Sequence, residues 1–304
     1  MPLTAQALDE LRALLGDDGV VGEASSLFTY DADAMTLTRV APDVVALPRS
    51  TDEVAAVVLW ARSHGLAVTP RGAGTGLAGG CTCESGGVSL SLNRMDRVLS
   101  VDHDRMFAWV QPGLVNLWLS QQLAPAGLYF APDPASQQVS TIGGNASTNA
   151  GGPHCLKYGV TLNHLLGVTV VLEDGSSVTL GGDACDAPDF DLASVVIGSE
   201  GTTAVVTSVC VRLLPVPEAV QTMLFDFESV EDACHTVSRV IAEGIVPAAM
   251  EIMDRHTVQL VEAWLQMGLP TDAAALLLIE VDGPAVSLPA QVERIGAIAR
   301  EWRA

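Results

Sequence analysis

The sequence predicts an α+β protein built from two parts that join near residue 217. Before this point, short runs of β-branched residues broken by glycine and proline are typical of a strand-rich domain. After it, three strand patterns alternate with three helix patterns, which indicates a smaller α/β unit. No acidic residue occurs between Glu53 and Glu84 or between Asp133 and Glu173, and these two windows hold the most glycine-rich stretches of the chain.

Helices and strands of the first part follow from local patterns. Apolar residues recur at helical spacing over 4–15, and Gly16 ends that pattern. Ser50 and Glu53 form a capping-box pattern, which predicts a helix that runs to about His64. A third helix is expected over 114–123. The predicted strands are 44–48, 66–69, 88–92, 97–101 and 107–111.

The middle and the end of the chain show a change in pattern. Residues 131–163 predict a long glycine-rich loop, and loops of this size inside a domain are usually functional. Two β-rich runs flank Asp174-Gly175, which predicts a hairpin, and a long strand then stops at Pro215. Beyond it we expect strands at 223–227, 248–252 and 275–281, and helices at 230–243, 254–267 and from about 286 to the end.

Charge and hydropathy exclude several classes of function. The chain has 15 basic and 36 acidic residues, a formal net charge of −21, and no Lys/Arg cluster, which argues against binding to nucleic acid or to anionic membranes. Its longest apolar runs, such as 273–279, are far shorter than the roughly 20 residues that span a bilayer. Residues 1–15 lack the layout of a secretory leader. We therefore expect a cytoplasmic protein without a membrane span.

Cysteines and histidines give no sign of a metal site. No C-x-x-C pair occurs, and we expect six reduced thiols at Cys81, Cys83, Cys155, Cys185, Cys210 and Cys234. His64 and His103 lie beside predicted turns and are expected at the surface. The spacing of Glu251, Asp254 and His256 indicates polar residues at the start of a helix rather than metal ligands.

Residues 70–80, the glycine loop, read PRGAGTGLAGG and contain five glycines. Glycine-rich backbone lets successive N–H groups point into one concavity that suits phosphate oxygens, and Thr75 adds a hydroxyl donor. An ordinary flexible loop is the alternative, but such loops usually carry Ser, Asn, Asp or Lys, all absent here. The pattern therefore favours a phosphate-binding loop.

Two common phosphate motifs do not explain the glycine loop. Gly74 to Gly79 matches G-x-G-x-x-G, but that fingerprint needs a helix that starts within it. Gly80 and the pair at 86–87 oppose a helix across the next ten residues. The Lys and Ser/Thr of a P-loop are also missing after Gly79.

Two further motifs complete the pattern. Residues 131–159 are rich in small side chains, so their backbone can press against a ring or a phosphate. Asn145 and Asn149 are four residues apart and are expected to share one face of a short helix. Residues 198–202, the GSEGT turn, form a tight turn that enters a strand.

The three motifs, in this order, resemble the FAD-linked oxidases of the vanillyl-alcohol oxidase type, with a PCMH-type FAD domain. Within them the sequence is most similar to the FAD-linked subunit of glycolate oxidase and to D-lactate dehydrogenases, over residues 30–283. The resemblance implies an N-terminal helical segment at 1–38, a two-subdomain PCMH-type FAD-binding domain at 39–217 and an incomplete α/β cap, or substrate, domain at 218–304.

The resemblance also implies which residues bind FAD. Those that would hold the pyrophosphate are Gly72, Gly74, Thr75 and Gly76, with Arg71 and Leu77 beside them. Those that would line the flavin and its ribityl chain are Pro132, Asp133, Thr141, Gly143, Gly144, Thr148, Gly151, Gly152 and Tyr158. Those near the adenosine would be Ile197, Glu200 and Val206, although 204–206 departs from the glycine and isoleucine that relatives more often have there.

The implied activity is a hydride transfer from a small 2-hydroxy acid to flavin. In the resembled enzymes an arginine and a histidine-rich stretch that serve the substrate come after the point where this sequence stops, so no catalytic residue is assigned and the lone chain is expected to be incomplete. A partner subunit is implied, either an iron–sulfur protein or a chain that supplies the C-terminal complement. The alternatives are a non-catalytic flavin-binding subunit and, more weakly, an NAD-binding Rossmann protein.

For each of three side chains near the motifs, the sequence allows two interpretations. His154 and Lys157 either face substrate or flavin, or are solvated at the edge of the loop. Cys81 either attaches flavin covalently or is a small free thiol, and the second interpretation is favoured because relatives hold FAD without a bond.

Overall fold

A computed structural model describes residues 3–182 and 190–302. Cys185 and the expected helical end at Arg303 and Ala304 lie outside the described residues. The chain divides into two compact units, one comprising residues up to Ala150 together with Val160–Pro215, the other comprising Gly151–Gly159 and the residues from Val216 onward. The division into domains at 1–38, 39–217 and 218–304 stays a prediction.

Both units contain helices and strands. The helices are α1 (Ala5–Leu15), α2 (Ala24–Leu27), α3 (Thr51–Ser63), α4 (Asn116–Leu123), α5 (Ile142–Thr148), α6 (Cys155–Tyr158), α7 (Ala193–Val196), α8 (Val230–Ala242), α9 (Arg255–Leu265) and α10 (Leu288–Glu301). The strands are β1 (Val20–Val21), β2 (Val44–Ala46), β3 (Val68–Arg71), β4 (Val88–Ser91), β5 (Val98–Asp102), β6 (Phe107–Val110), β7 (Leu128–Tyr129), β8 (Leu165–Val171), β9 (Ser177–Gly181), β10 (Val205–Arg212), β11 (Leu214–Pro215), β12 (Ala219–Phe227), β13 (Ala249–Asp254) and β14 (Ala275–Gly283).

The first sheet of the first unit has the order β1-β2-β4-β3, and its last three strands are parallel. Its apolar face packs against α1 and α3, where Leu11, Val57, Val88 and Leu90 are fully buried. The α3 helix begins as its sequence predicts, because the Ser50 side chain accepts the Glu53 N–H at 3.2 Å. This packing fixes the end of β3, from which the glycine loop leaves.

The second sheet of the first unit is antiparallel, with the order β5-β6-β10-β8-β9. Its core includes Val110, Leu119, Ile142 and Val209, all fully buried. Strands β8 and β9 form the hairpin predicted around Asp174-Gly175. The short pair β7 and β11 closes this unit near Pro215.

The structure corrects the prediction of a structureless loop over 131–163, because α5 and α6 form within it. The Thr141 side chain accepts the Gly144 N–H at 3.3 Å and so caps α5, which a search for long apolar periodicity does not detect. Asn149 adopts a left-handed φ of 47° and ends the helix. Asn145 and Asn149 therefore do not share a helix face, and that expectation is wrong.

The glycine loop leads into bends and turns rather than a helix. Residues 72–87 contain no helix, and β4 follows at Val88. The dinucleotide fingerprint lacks the helix N-terminus that it needs, as its glycines predict. The Rossmann alternative is therefore excluded.

The second unit contains a three-stranded antiparallel sheet, β12-β14-β13, with β14 in the centre. Helices α8 and α10 pack on it around Phe227, Leu277, Ile279 and Ile295. The alternation of strands and helices agrees with the sequence pattern, and the α+β class is confirmed. Across residues 3–182 and 190–302, no helix is both long and apolar enough to cross a membrane.

Candidate functional site

The glycine loop presents a row of backbone donors. Within the described residues, the N–H groups of residues 72–78 donate to no protein acceptor, and the Gly79 N–H donates to the Asp33 carboxylate at 2.6 Å. Gly74 has a φ of 72°, a conformation that L side chains rarely adopt. A half-exposed run of seven amides without a partner is suited to bind an anion with several oxygens.

Arg71 supports the loop from inside the protein. Its side chain is buried, and its Nη2 donates to the Ala32 carbonyl at 2.9 Å while Nη1 lies 3.1 Å from the Cys81 Sγ. A Cβ at Gly74 would come within 2.4 Å of Nη2, so the guanidinium lies directly against the loop backbone. Arg71 thus adds a fixed positive charge to the site, while its guanidinium bonds to groups of the protein itself.

The three sequence motifs meet in the first unit. A Cβ at Gly72 would lie 2.5 Å from the Thr141 Oγ1, and one at Gly80 would lie 2.7 Å from the Glu200 Oε2. One at Gly201 would lie 3.0 Å from the Pro70 Cγ. The glycine loop, the start of α5 and the GSEGT turn therefore contact one another.

Backbone hydrogen bonds join the GSEGT turn to α5. The Gly198 N–H donates to the Ala146 carbonyl at 3.0 Å, and the Glu200 N–H donates to the Ser147 carbonyl at 2.8 Å. Glu200 has a φ of 54°, which this tight turn imposes. The turn and the helix therefore form one rigid wall beside the loop.

Glycines allow α5 to approach the chain behind it. A Cβ at Gly143 would lie 2.4 Å from the Pro112 Cβ, so any larger residue would push the helix away. Thr148 donates from its hydroxyl to the Gly144 carbonyl at 3.0 Å. The small residues of this motif are thus required for packing as well as for access to a ligand.

A buried amide network holds the segment that contains Pro132 and Asp133. Asn116 donates from Nδ2 to the Pro132 carbonyl at 2.9 Å and accepts from the Asn145 Nδ2 at 3.0 Å. Sequence analysis missed Asn116, whose only signal is a polar residue at the start of an apolar helix. Pro132 is buried, whereas Asp133 is half-buried.

Two of the three residues predicted near the adenosine, Ile197 and Val206, point into the core. Ile197 and Val206 are 9% and 4% exposed and belong to the hydrophobic cluster of the second sheet. An open cavity of about 540 Å³ lies beside the GSEGT turn, lined among others by Val68, Pro70 and residues 201–205. Near this turn, backbone atoms rather than the side chains of Ile197 and Val206 are available to a ligand.

Gly151, Gly152 and Tyr158 belong to the second unit. There the Lys157 Nζ forms an ion pair with Asp282 and also donates to its carbonyl at 2.8 Å, while the Tyr158 hydroxyl donates to the Asp282 Oδ2 at 2.5 Å. His154 Nε2 lies 2.9 Å from the Glu280 Oε1. The interpretation of His154 and Lys157 as merely solvated is therefore wrong, because carboxylates of β14 hold both.

Comparison with known proteins decides the family. Residues 42–181 match the family described as "FAD binding domain", and residues 216–303 match "FAD linked oxidases, C-terminal domain". The chain belongs to the FAD-linked oxidases. FAD is therefore the cofactor, as the sequence motifs predicted.

Among curated FAD-linked oxidases, the chain is 37% identical to glycolate oxidase subunit GlcD of Bacillus subtilis over 300 residues, covering 98% of this chain and 64% of the relative. It is 42% identical to GlcD of Escherichia coli K12 over 272 residues, covering 90% and 54%. It is 34% identical to D-lactate dehydrogenase of Anaerostipes hadrus over 279 residues, covering 90% and 57%. The chain thus spans between 54% and 64% of the length of these relatives.

Solved structures show the same fold for this FAD-linked oxidase. An alkyldihydroxyacetonephosphate synthase superposes with a TM-score of 0.86 at 23% identity, covering 99% of this chain and 60% of that one. A p-cresol methylhydroxylase superposes with a TM-score of 0.78 at 16% identity, covering 97% and 64%. The PCMH-type architecture expected from the sequence is confirmed.

The donor set of this FAD-linked oxidase fits a diphosphate. Seven consecutive amides lack an acceptor in the described part of the chain, Gly74 provides space that a Cβ would close, and Arg71 contributes positive charge. The described residues contain no cluster of His, Cys, Asp and Glu that could hold a metal ion. Asp254 instead caps α9 by accepting the Thr257 N–H at 2.8 Å, and this bond lowers the pKa of Asp254.

Burial governs the two thiols of the glycine-loop region. Burial raises the pKa of Cys81, and the nearby Arg71 charge offsets this increase only in part. Burial also raises the pKa of Cys83 by more than the hydrogen bond from Thr69 lowers it. Both groups are therefore thiols rather than thiolates at neutral pH. This is unfavourable for nucleophilic attack on a flavin.

We expect slow alkylation of Cys81 and Cys83. Burial raises the pKa of both thiols above the ordinary thiol value and also limits access of a reagent to their sulfur atoms, whereas Cys234 is exposed. Iodoacetamide at pH 8 should label Cys234 at least about tenfold faster, as read by peptide mass spectrometry. Equal labelling rates at the three positions would contradict this assignment.

The carboxylate of Asp282 should stabilise the second unit. Its side chain is 4% exposed, so Asp282→Ala would leave Lys157 and Tyr158 without this acceptor and should lower the free energy of unfolding by about 2–4 kcal/mol. Urea denaturation followed by circular dichroism measures the loss. The matched control is Asp226→Ala on the exposed side of β12, expected within about 0.5 kcal/mol of wild type.

Proposed function

We propose that the glycine loop holds the pyrophosphate of FAD through the amides of residues 72–77. These six amides belong to the run of seven, at residues 72–78, that have no acceptor among the described residues, and this observation carries the proposal. Helix α5 and its cap then face the flavin side of the cofactor through Thr141, Gly143, Gly144 and Thr148. Glu200 lies beside the adenosine side. The sequence also assigns Gly151, Gly152 and Tyr158 to the flavin, and that assignment stays a prediction.

The substrate class follows from the relatives. Glycolate oxidase subunits and a D-lactate dehydrogenase are among the similar proteins, which supports a small 2-hydroxy acid as the hydride donor. Bound FAD supplies the hydride acceptor. Residues 218–304 would then belong to a substrate domain, and a partner subunit would act together with this chain in the cytoplasm.

Oxidation of a 2-hydroxy acid needs a base for the hydroxyl proton and a cation for the carboxylate. His154 and Lys157 are the ionisable candidates in the second motif, but Glu280 and Asp282 already hold them. We therefore assign neither residue a catalytic role. A non-catalytic flavin-binding subunit, completed by another chain, remains the second candidate because the GlcD relatives are themselves named as subunits.

Gly74→Asp should abolish FAD retention while the fold survives. The new side chain would meet Arg71 at a φ of 72° and add negative charge where phosphate oxygens must approach. The flavin content of purified protein, read at about 450 nm and by release of FAD on heating, measures the effect. Gly127→Asp is the matched control, since Gly127 has a φ of 70° with nothing within 4 Å of an added Cβ. Equal flavin content in both variants would refute the assignment of the loop.

The flavin of this chain alone should be reduced by dithionite but only slowly by hydroxy acids. Carboxylates already hold His154 and Lys157, and where neither acts as a base, proton transfer loses about 10²- to 10⁴-fold. Loss of substrate orientation would slow the reaction further. Anaerobic spectra with glycolate, D-lactate and D-2-hydroxyglutarate measure the rate. Rapid bleaching would mean that His154, Lys157 or Tyr158 carries the chemistry.

An experiment that adds a second polypeptide, one that supplies a carboxylate-binding arginine and a base, distinguishes the two candidate functions. Fast reduction by a 2-hydroxy acid in its presence supports the oxidoreductase. Stable flavin binding without any gain in rate supports the non-catalytic subunit. Failure of the chain to bind FAD would refute both.

A further inference from the structure

Residues 30–40, here called the N-terminal strap, run behind the glycine loop. The sequence placed most of them in a separate N-terminal segment, and the match to the FAD-binding family begins only at residue 42. Yet several hydrogen bonds join the loop to the strap. The Ala34 N–H donates to the Gly76 carbonyl at 3.1 Å, and the Ala32 carbonyl accepts from Arg71 at 2.9 Å.

Asp33 is the centre of this contact. Its side chain is buried, and Oδ2 accepts the Gly79 N–H at 2.6 Å while Oδ1 accepts the Met35 N–H at 3.0 Å. Oδ2 also lies 4.0 Å from where a Cβ at Gly76 would be. One carboxylate therefore joins the strap to the far end of the glycine loop.

The strap also has hydrogen bonds and an ion pair within itself. The Val40 N–H donates to the Asp31 carbonyl at 2.8 Å, and the Arg39 Nη1 lies 3.3 Å from each Asp31 carboxylate oxygen. Asp31 and Asp33 are almost equally buried, at 6% and 7% exposure. They differ in one respect that matters here, because only Asp33 bonds the glycine loop.

We propose that Asp33 is a positioning residue for the cofactor diphosphate, and that the strap forms the back wall of the glycine loop. This inference rests on the proposed function of the loop. The carboxylate fixes the Gly79 amide and the strap fixes the Gly76 carbonyl, so the seven amides between Arg71 and Gly79 are held in one arrangement before the ligand arrives. Preorganisation of this kind raises affinity because the loop loses less conformational entropy when the ligand binds.

Three ligands separate the diphosphate from the rest of the cofactor. FAD and ADP both carry a diphosphate, whereas riboflavin has the ring without phosphate. Asp33→Ala should weaken FAD and ADP by the same factor, at least about tenfold, as expected for the loss of a charge-assisted hydrogen bond that shapes a site. The affinity for riboflavin should not change. Fluorescence quenching for the flavins and competition for ADP measure the constants.

Two further variants make the test specific. Asp33→Asn keeps one acceptor for the Gly79 N–H and should recover part of the affinity. Asp31→Ala removes an equally buried carboxylate from the same strap and should leave FAD affinity within about twofold of wild type. Thermal denaturation of each apo variant checks that the fold persists, and if Asp33→Ala does not fold, Asp33→Asn against Asp31→Asn gives the same comparison.

Hydrogen exchange in the apo protein provides a readout without ligand. The Gly79 amide, whose hydrogen bond to the Asp33 carboxylate the variant removes, should exchange faster in Asp33→Ala than in Asp31→Ala or wild type. Unchanged FAD and ADP affinity in Asp33→Ala, or an equal loss in Asp31→Ala, would overturn the inference while the proposed function stands. Wild-type protein that binds neither FAD nor ADP would instead refute the proposed function of the loop, and with it any role of Asp33 in positioning a diphosphate.

Discussion

The conformation of the glycine loop depends on the contacts of the buried Arg71 guanidinium. A loop that must leave its amides available to an anion cannot be stabilised by its own backbone hydrogen bonds, so other groups have to hold it. Arg71 does this by bonding Ala32 and Cys81 and by filling the space beside Gly74. The first sheet, with α1 and α3 packed on it, in turn holds Arg71 at the end of β3.

The same constraint explains how acidic residues are distributed around the loop. The chain as a whole carries a net charge of −21, but the windows that contain the glycine-rich motifs carry no acid. The carboxylate nearest the loop backbone, that of Asp33, accepts two backbone N–H groups. Negative charge at this position is therefore committed to holding the protein backbone, and the amides of residues 72–78 stay available.

In the second unit, charged and polar side chains hold the segment Gly151–Gly159 in place. Gly151–Gly159 is too rich in small residues to form an apolar core of its own. Lys157, Tyr158 and His154 attach it instead to the carboxylates of Asp282 and Glu280 on β14. The sheet that carries these carboxylates is packed by α8 and α10, so the order of the segment depends on the core of that unit.

Local patterns in the sequence determined the family, the cofactor, the glycine loop, the β8–β9 hairpin and the alternation of the second unit. These features depend on residues close together in the chain, where turn chemistry and periodicity act directly. Only the tertiary structure decided that Asp33 bonds Gly79, that Asn116 joins Pro132 to Asn145, and that Lys157 pairs with Asp282. Each of these contacts joins residues at least 16 positions apart. Such pairs leave no periodic signal, because packing of the sheets and helices rather than local propensity brings them together.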